Sequence, residues 1–200
     1  YGKIHLVPFA EAIPYADNPF VKQLMQSMVG FSSGWTPGKE LTLFQVENKK
    51  GETINFSAPI CFEDAFADLC RLHFLNGSEV FINLTNDSWS KTNSAEYQHF
   101  VIASYRAIEC RTTLVRSTNS GFSVVVDPAG NILDSLPLFE SVSKNVTIPV
   151  YERVYTPYVI LGDIIQYFAI IFVVFFIWVL HCWKNQNKDE EITEIEVVED

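Results

Sequence analysis

The four cysteines, Cys61, Cys70, Cys110 and Cys182, form no C-x-x-C pair and no short-range ladder, which argues against a disulfide framework or a zinc site. His5, His73, His99 and His181 are as scattered, and none stands at ligand spacing from a cysteine or another histidine. No metal and no cofactor is expected. Basic residues are few, 14 Lys and Arg against 24 Asp and Glu, and nowhere clustered. The electrostatic footprint of a nucleic-acid binder is therefore missing. No internal repeat is visible, and no stretch of these 200 residues reads as a signal or transit segment. The sequence opens on Tyr1 inside what reads as a structured region, and is expected to be part of a longer chain.

What is present in quantity is apolar. Of 200 residues, 48% are hydrophobic and sixteen are Phe, enough for one substantial core. The formal charge of −10 is uneven, because the last seventeen residues hold seven acids against two lysines. Residues 159–183, VILGDIIQYFAIIFVVFFIWVLHCW, contain fourteen residues from Tyr167 to Leu180 with no polar side chain beyond the Tyr and Trp rings. With its flanks the run reaches the roughly 20 residues that span a bilayer; a helix buried in a core is the alternative. Tyr155, Tyr158, Trp178 and Trp183 are placed like interfacial belts, and Lys184 and Lys188 follow where Asp163 precedes. That bias predicts a cytoplasmic C-terminus and an external folded domain. The expected division is a domain over 1–158, a transmembrane helix over 159–183 and a solvated, disordered acidic tail over 184–200.

Within the domain the periods alternate. GETINFSAPI (51–60) reads as a strand entering the core, and FEDAFADLCRLHFL (62–75) as a helix with Glu63 and Asp64 in its first turn. Asn76-Gly77 closes it. EVFINLT (79–85) is a strand of a covered sheet, and 95–110 a second amphipathic helix. TTLVRST, FSVVVD and ILDSL follow as strands joined by turns, and SKNVTIPV (143–150) reads as a closing strand. Strand–helix–strand–helix–strand followed by hairpins indicates an α/β layer fold. The first fifty residues are loop-rich around a short helix at 20–29. Cys70 and Cys110 sit at helical core spacing, and Arg106 and Glu109 at i, i+3 make a helical ion pair. Asn86, Asp87 and Asn119 fall in turns, where such residues belong. His5 and His99 read as packing or hydrogen-bonding residues. An inward Arg116 on a strand requires a carboxylate partner.

Cys61 has two readings. Free cysteine is usually a buried, inert residue, yet this one stands where a strand gives way to a helix, where unsatisfied N–H groups favour a thiolate and can donate to an oxyanion. Lys3 and Glu11, on a proline-bounded apolar stretch, are either a site pair with Lys as oxyanion cation or an ordinary surface pair.

The blocks YGKIHLVPFAEAIP, PICFEDAF, NLTNDSW, QHFVIASYRAIECRTTLVRSTNSGFS and DPAGNIL together resemble the nitrilase superfamily and, more narrowly, its apolipoprotein N-acyltransferase family. The resemblance runs from Tyr1 to about Asp163, and the combination of K-x-H-L-V-P-F-x-E with C-x-E carries it. It implies a nitrilase-like α-β-β-α sandwich, incomplete on its N-terminal side, followed by one C-terminal transmembrane helix. By the same resemblance Cys61 is the acyl-accepting nucleophile, Lys3 the lysine of a Glu-Lys-Cys triad, Glu11 the second glutamate and Glu63 the acid after the cysteine. Phe62 and Trp89 shape the substrate pocket. Ala10 stands where Gly is usual, and Phe62 where Tyr is usual. The resemblance implies a phospholipid acyl donor, an apolipoprotein acceptor and residence in a bacterial inner membrane with the catalytic domain on the periplasmic side. It also places the general base, a glutamate, upstream of Lys3, so the segment alone is expected to be catalytically incomplete. The alternative is a membrane-anchored amidase in which water resolves the thioester; a catalytically dead binding module on a membrane stalk is the non-enzymatic reading.

Overall fold

The computed structural model describes residues 1–8, 10–12, 15, 18–29 and 34–198. They form two units, Tyr1–Ile160 and Leu161–Asp200. In the first, α1 (Pro19–Val29) precedes β1 (Phe44–Glu47) and β2 (Thr53–Ser57). A 3-10 turn (Cys61–Ala65) then leads to α2 (Ala67–Leu75), β3 (Val80–Asn86), α3 (Asn93–Cys110), β4 (Thr113–Asn119), β5 (Val124–Val126), β6 (Ile132–Ser135) and α4 (Pro157–Leu161).

The six strands make one mixed sheet in sequence order. β2, β3 and β4 are parallel, and antiparallel pairs flank them on both sides. Parallel neighbours need a crossover; α2 supplies the first and α3 the second. Phe81 of β3 and Leu114 of β4, paired in register, meet Cys70 and Phe74 of α2 and Phe100, Ala103, Ala107 and Cys110 of α3 in one buried cluster. Further along the same face the register brings Asn83 opposite Arg116 and Thr85 opposite Thr118. The core face thus changes from apolar to polar toward the C-terminal ends of the parallel strands, the usual place for a site in such sheets. On the opposite face Leu84 is 54% exposed.

Several expectations are met and several are not. Cys70 and Cys110 are buried in the core, and Arg106 pairs with Glu109 at 2.8 Å. Asn76 caps α2, with Gly77 at φ +114. The helix expected from Phe62 starts instead as the 3-10 turn, broken at the extended Phe66 before α2 begins. β1 gave no sequence signal. SKNVTIPV forms no strand, and Thr113 Oγ1 donates to the Pro149 carbonyl at its end. Of the α-β-β-α sandwich, the described residues contain one helix layer on one sheet.

In the second unit, α5 runs Ile164–Val198. The long apolar helix therefore begins at Ile164 rather than at residue 159, because Gly162 (φ 62) ends α4 in the left-handed region. Its backbone continues helically through the acidic segment expected to be disordered. Residues Ile164–Lys184 are apolar and long enough to cross a membrane, with mean hydropathy 2.4.

Phe81, at the centre of the sheet and wholly buried, is expected to lose about 3–5 kcal/mol of domain stability on substitution to Ala. A shift of the urea midpoint measures it.

Candidate active site

Beyond Ser57 the chain keeps alongside β3, where Leu84 N–H donates to the Pro59 carbonyl at 3.3 Å and Ile60 bridges Leu84. Cys61 then turns at φ 53. A side chain in this region costs of the order of 1–3 kcal/mol and persists only where the surroundings over-determine it. Two buried side chains do so. Asn83 donates Nδ2 to the carbonyls of Pro59 (3.1 Å) and Cys61 (2.9 Å). Glu63 accepts Ile60 N–H on Oε2 at 2.7 Å, and on Oε1 it accepts Ile4 N–H (2.6 Å), His5 N–H (3.0 Å) and the Tyr1 hydroxyl (2.9 Å). Burial and this carboxylate push the Tyr1 phenol well above its ordinary pKa, so it stays a donor. Glu63 thereby fastens the amino-terminal segment to the turn that carries Cys61.

That segment brings Lys3 and Glu11. Val7 opens a tight turn whose carbonyl accepts Glu11 N–H at 2.8 Å, while Val7 N–H donates to Glu11 Oε2 at 2.8 Å. The same oxygen receives Lys3 Nζ at 2.5 Å. The Lys3 backbone is held by Gly38, whose N–H donates to the Lys3 carbonyl at 2.7 Å. A Cβ on Gly38 would lie 2.0 Å from the Gly2 carbonyl oxygen, so only glycine permits that approach.

A cavity of about 1110 Å³ opens over the turn, lined chiefly by apolar groups. Glu11, Cys61, Phe62 and Trp89 all face it, as do His99 and Ile102. Lys3 is outside that lining and reaches it through Glu11, whereas Glu63 lies behind the turn with no exposure. Trp89 is 74% exposed at the rim. Among the described residues no group of His, Cys, Asp and Glu is arranged to hold a metal ion.

Beneath the turn lies a charged cluster. His99 places Nε2 2.9 Å from Asp64 Oδ1 and Nδ1 2.9 Å from Asp87 Oδ1. Arg116, buried on β4, lies 3.0 Å from Asp64 Oδ2 through Nε and 3.6 Å from Asp87 Oδ2 through Nη2. Burial pushes the His99 pKa down, but the bonds to Asp64 and Asp87 outweigh it and hold it up at about 9. Burial raises Asp87, yet its bond to His99 and the nearby Arg116 hold it below the usual carboxylate range. Glu96, its Oε1 accepting the Ser90 hydroxyl, is pushed up by burial and by neighbouring Asp87. A methyl group on Gly121 would meet Asp87 Oδ2 at 2.5 Å and Glu96 Oε2 at 2.8 Å, so the absence of a side chain there leaves room for the pair.

The sequence pointed to Arg116 and its need for a carboxylate, but took Asp87 for a turn residue and gave Asp64 and Asn83 no place in the site. Asp87 is 2% exposed. The available signal was periodicity: Asn83 and Thr85 fall on the strand positions that share Phe81's inward face, where a polar residue requires a partner.

Glu63→Gln would keep an acceptor for Ile4, His5 and Tyr1 but set an amide donor against Ile60 N–H. A loss of about 1–3 kcal/mol is expected in denaturant unfolding. The His99 pKa is raised by folding, so its stabilisation is complete below about 6.5 and disappears as pH climbs through about 9. Asp87, lowered by folding, contributes above the ordinary carboxylate range and loses its contribution as pH falls below it. Unfolding free energy measured against pH should decline on both sides, and His99→Gln should remove the decline between about 6.5 and 9 while leaving the loss at higher pH that the raised Cys110 and Tyr1 groups contribute.

The carbon-nitrogen hydrolase family model matches residues 1–149. Apolipoprotein N-acyltransferase 2 of Treponema denticola is 57% identical over 178 residues, 88% of this chain and 34% of that protein. The apolipoprotein N-acyltransferase of Borreliella burgdorferi is 33% identical over 98% of this chain and 37% of that protein. This chain thus spans about a third of the length of the curated relatives it matches. Among solved structures, an amidase of the nitrilase superfamily from Nesterenkonia AN1 aligns with TM-score 0.45 and 20% identity, over 69% of this chain and 46% of that one. With the family model covering its first 149 residues, this chain belongs to the carbon-nitrogen hydrolase family.

Proposed function

We propose that the protein containing this chain transfers a fatty acyl group from a phospholipid to the N-terminal amine of a diacylglyceryl-cysteine lipoprotein, through a thioester on Cys61. The observation that carries the reading is a cysteine on a held, left-handed turn facing a mainly apolar cavity of about 1110 Å³. That exceeds the roughly 300–1,000 Å³ of ordinary small-molecule sites and suits a long acyl chain. The identity with relatives named apolipoprotein N-acyltransferase supports it, as does an apolar helix of 21 residues, roughly 30 Å long.

In the first step the Cys61 thiolate attacks the ester carbonyl, the carbon–oxygen bond breaks, and the lysophospholipid leaves with a proton. Lys3, oriented by Glu11, and backbone N–H groups of the turn stabilise the oxyanion. Glu63 keeps the turn in place, while Phe62 and Trp89 line the way for the chain. The acceptor amine then attacks the thioester carbonyl and the carbon–sulfur bond breaks, the proton lost by the amine returning the cysteine to its thiol. The proton of Cys61 goes to a glutamate carried upstream in the full protein. Ile164–Lys184 spans the bacterial inner membrane with Lys184 and Lys188 on the cytoplasmic side, which puts the domain and both lipid substrates on the outer side.

Full-length protein incubated with phospholipid labelled in its acyl chain is expected to acquire a hydroxylamine-labile label, absent in Cys61→Ala, and to pass it to a lipopeptide amine. Undiminished label on Cys61→Ala would overturn the thioester. Release of the label only as free fatty acid would overturn transfer in favour of hydrolysis.

A further inference from the structure

The cavity wall beside Cys61 contains a histidine with no free ring nitrogen. Nε2 and Nδ1 of His99 each lie 2.9 Å from a carboxylate oxygen, of Asp64 and Asp87 respectively. An ionised carboxylate only accepts, and a neutral imidazole donates from one nitrogen alone. Both bonds are therefore made together by an imidazolium. Arg116 sets its guanidinium beneath both acids, 3.0 Å from Asp64 and 3.6 Å from Asp87, and helps hold Asp87 below the usual carboxylate range. Glu96, on the same helix as His99, is the other acid of the cluster, with one oxygen on the Ser90 hydroxyl. From the 3-10 turn, the Phe62 ring lies 5.6 Å from the His99 ring, centroid to centroid.

The bonds join separate elements. Asp64 belongs to the five-residue turn that begins with Cys61, Asp87 follows β3, and His99 projects from α3. In so short a turn Asp64 cannot move without moving Cys61, whose φ of 53 requires outside support. Asn83 and Glu63 hold the turn through groups that need no protonation to do so. The hold from His99 needs a proton. With both nitrogens engaged, the ring has no lone pair with which to take a proton from substrate or thiol.

We propose that His99 is a positioning residue for Cys61: as an imidazolium donating to Asp64 and Asp87, it locks the turn that presents the thiol against the end of β3 and the helix α3. The proposal rests on the reading of Cys61 as the acylated nucleophile, and it makes the rate of acylation, rather than the binding of the acyl donor, depend on the charge at residue 99.

The test uses full-length protein in detergent with p-nitrophenyl butyrate, an activated ester that acylates a competent thiolate whatever the natural acceptor. Cys61 takes the butyryl group, the carbon–oxygen bond breaks and p-nitrophenolate leaves in a burst. Wild type is expected to give the burst. His99→Gln, which supplies an uncharged donor to one carboxylate at most, is expected to slow it by roughly ten- to a hundredfold at an unchanged half-saturating ester concentration. Asp64→Asn should slow it comparably, and the double variant no further than the slower single one. Nitrogen-15 NMR of histidine-labelled wild type at pH 7.5 should contain one ring protonated on both nitrogens that is missing from His99→Gln; this reading does not depend on the variant's activity. A neutral ring at residue 99, or a folded His99→Gln with a burst rate within about twofold of wild type, overturns the positioning role. A wild type without any burst overturns the nucleophile reading, and the positioning role with it.

Discussion

The Glu63 carboxylate has no contact with solvent and depends wholly on protein donors. A buried charge is tolerable only when its lone pairs are occupied, and the four donors here come from two stretches of chain far apart in sequence: Tyr1, Ile4 and His5 on one side, Ile60 on the other. Almost everything else in the site follows from that requirement. It brings the segment with Lys3 and Glu11 to the segment with Cys61 and fixes where the Cys61 turn starts. Lys3 and Glu11 need not find the cavity by their own attraction, which at a partly exposed pair would amount to little.

The sheet answers a second requirement. Parallel strands place their C-terminal ends together, and the inward positions at those ends are polar here: Asn83, Thr85 and Arg116. Each is matched, Asn83 with the Pro59 and Cys61 carbonyls, Thr85 with Asp87, and Arg116 with Asp64 and Asp87. Polar strand ends and the turn above them therefore specify one another. Asp64 and Asp87 each face both His99 and Arg116, and having a basic partner for each acid limits the cost of removing the group from water.

Much of this architecture was legible from local pattern. The apolar runs of β3 and β4, the periodicity of α2 and α3 and the Asn76-Gly77 stop needed no distant information. SKNVTIPV reads as a strand, but a strand requires a neighbouring strand to pair with, and at its end the Pro149 carbonyl accepts instead from the Thr113 hydroxyl. Phe62 to Leu75 reads as one helix because its apolar spacing is helical throughout; periodicity reports neither the left-handed Cys61 that opens the 3-10 turn nor the extended Phe66 that ends it. Lys3, Glu11 and Cys61 could be named from motif blocks. The His99 cluster could not, since its members come from the turn, the end of β3, α3 and β4, and only the β3–β4 register, with Asn83 opposite Arg116, brings them together.

The φ of Cys61 has an evolutionary side. Folding by itself would favour glycine at residue 61, with asparagine next, because either occupies the left-handed region at less cost than a cysteine. The thiol is thus kept in opposition to local backbone preference, and stability and chemistry compete for one position. In a lineage released from the reaction, drift toward glycine at residue 61 would make the fold more robust, so a descendant without the nucleophile would be the sturdier protein.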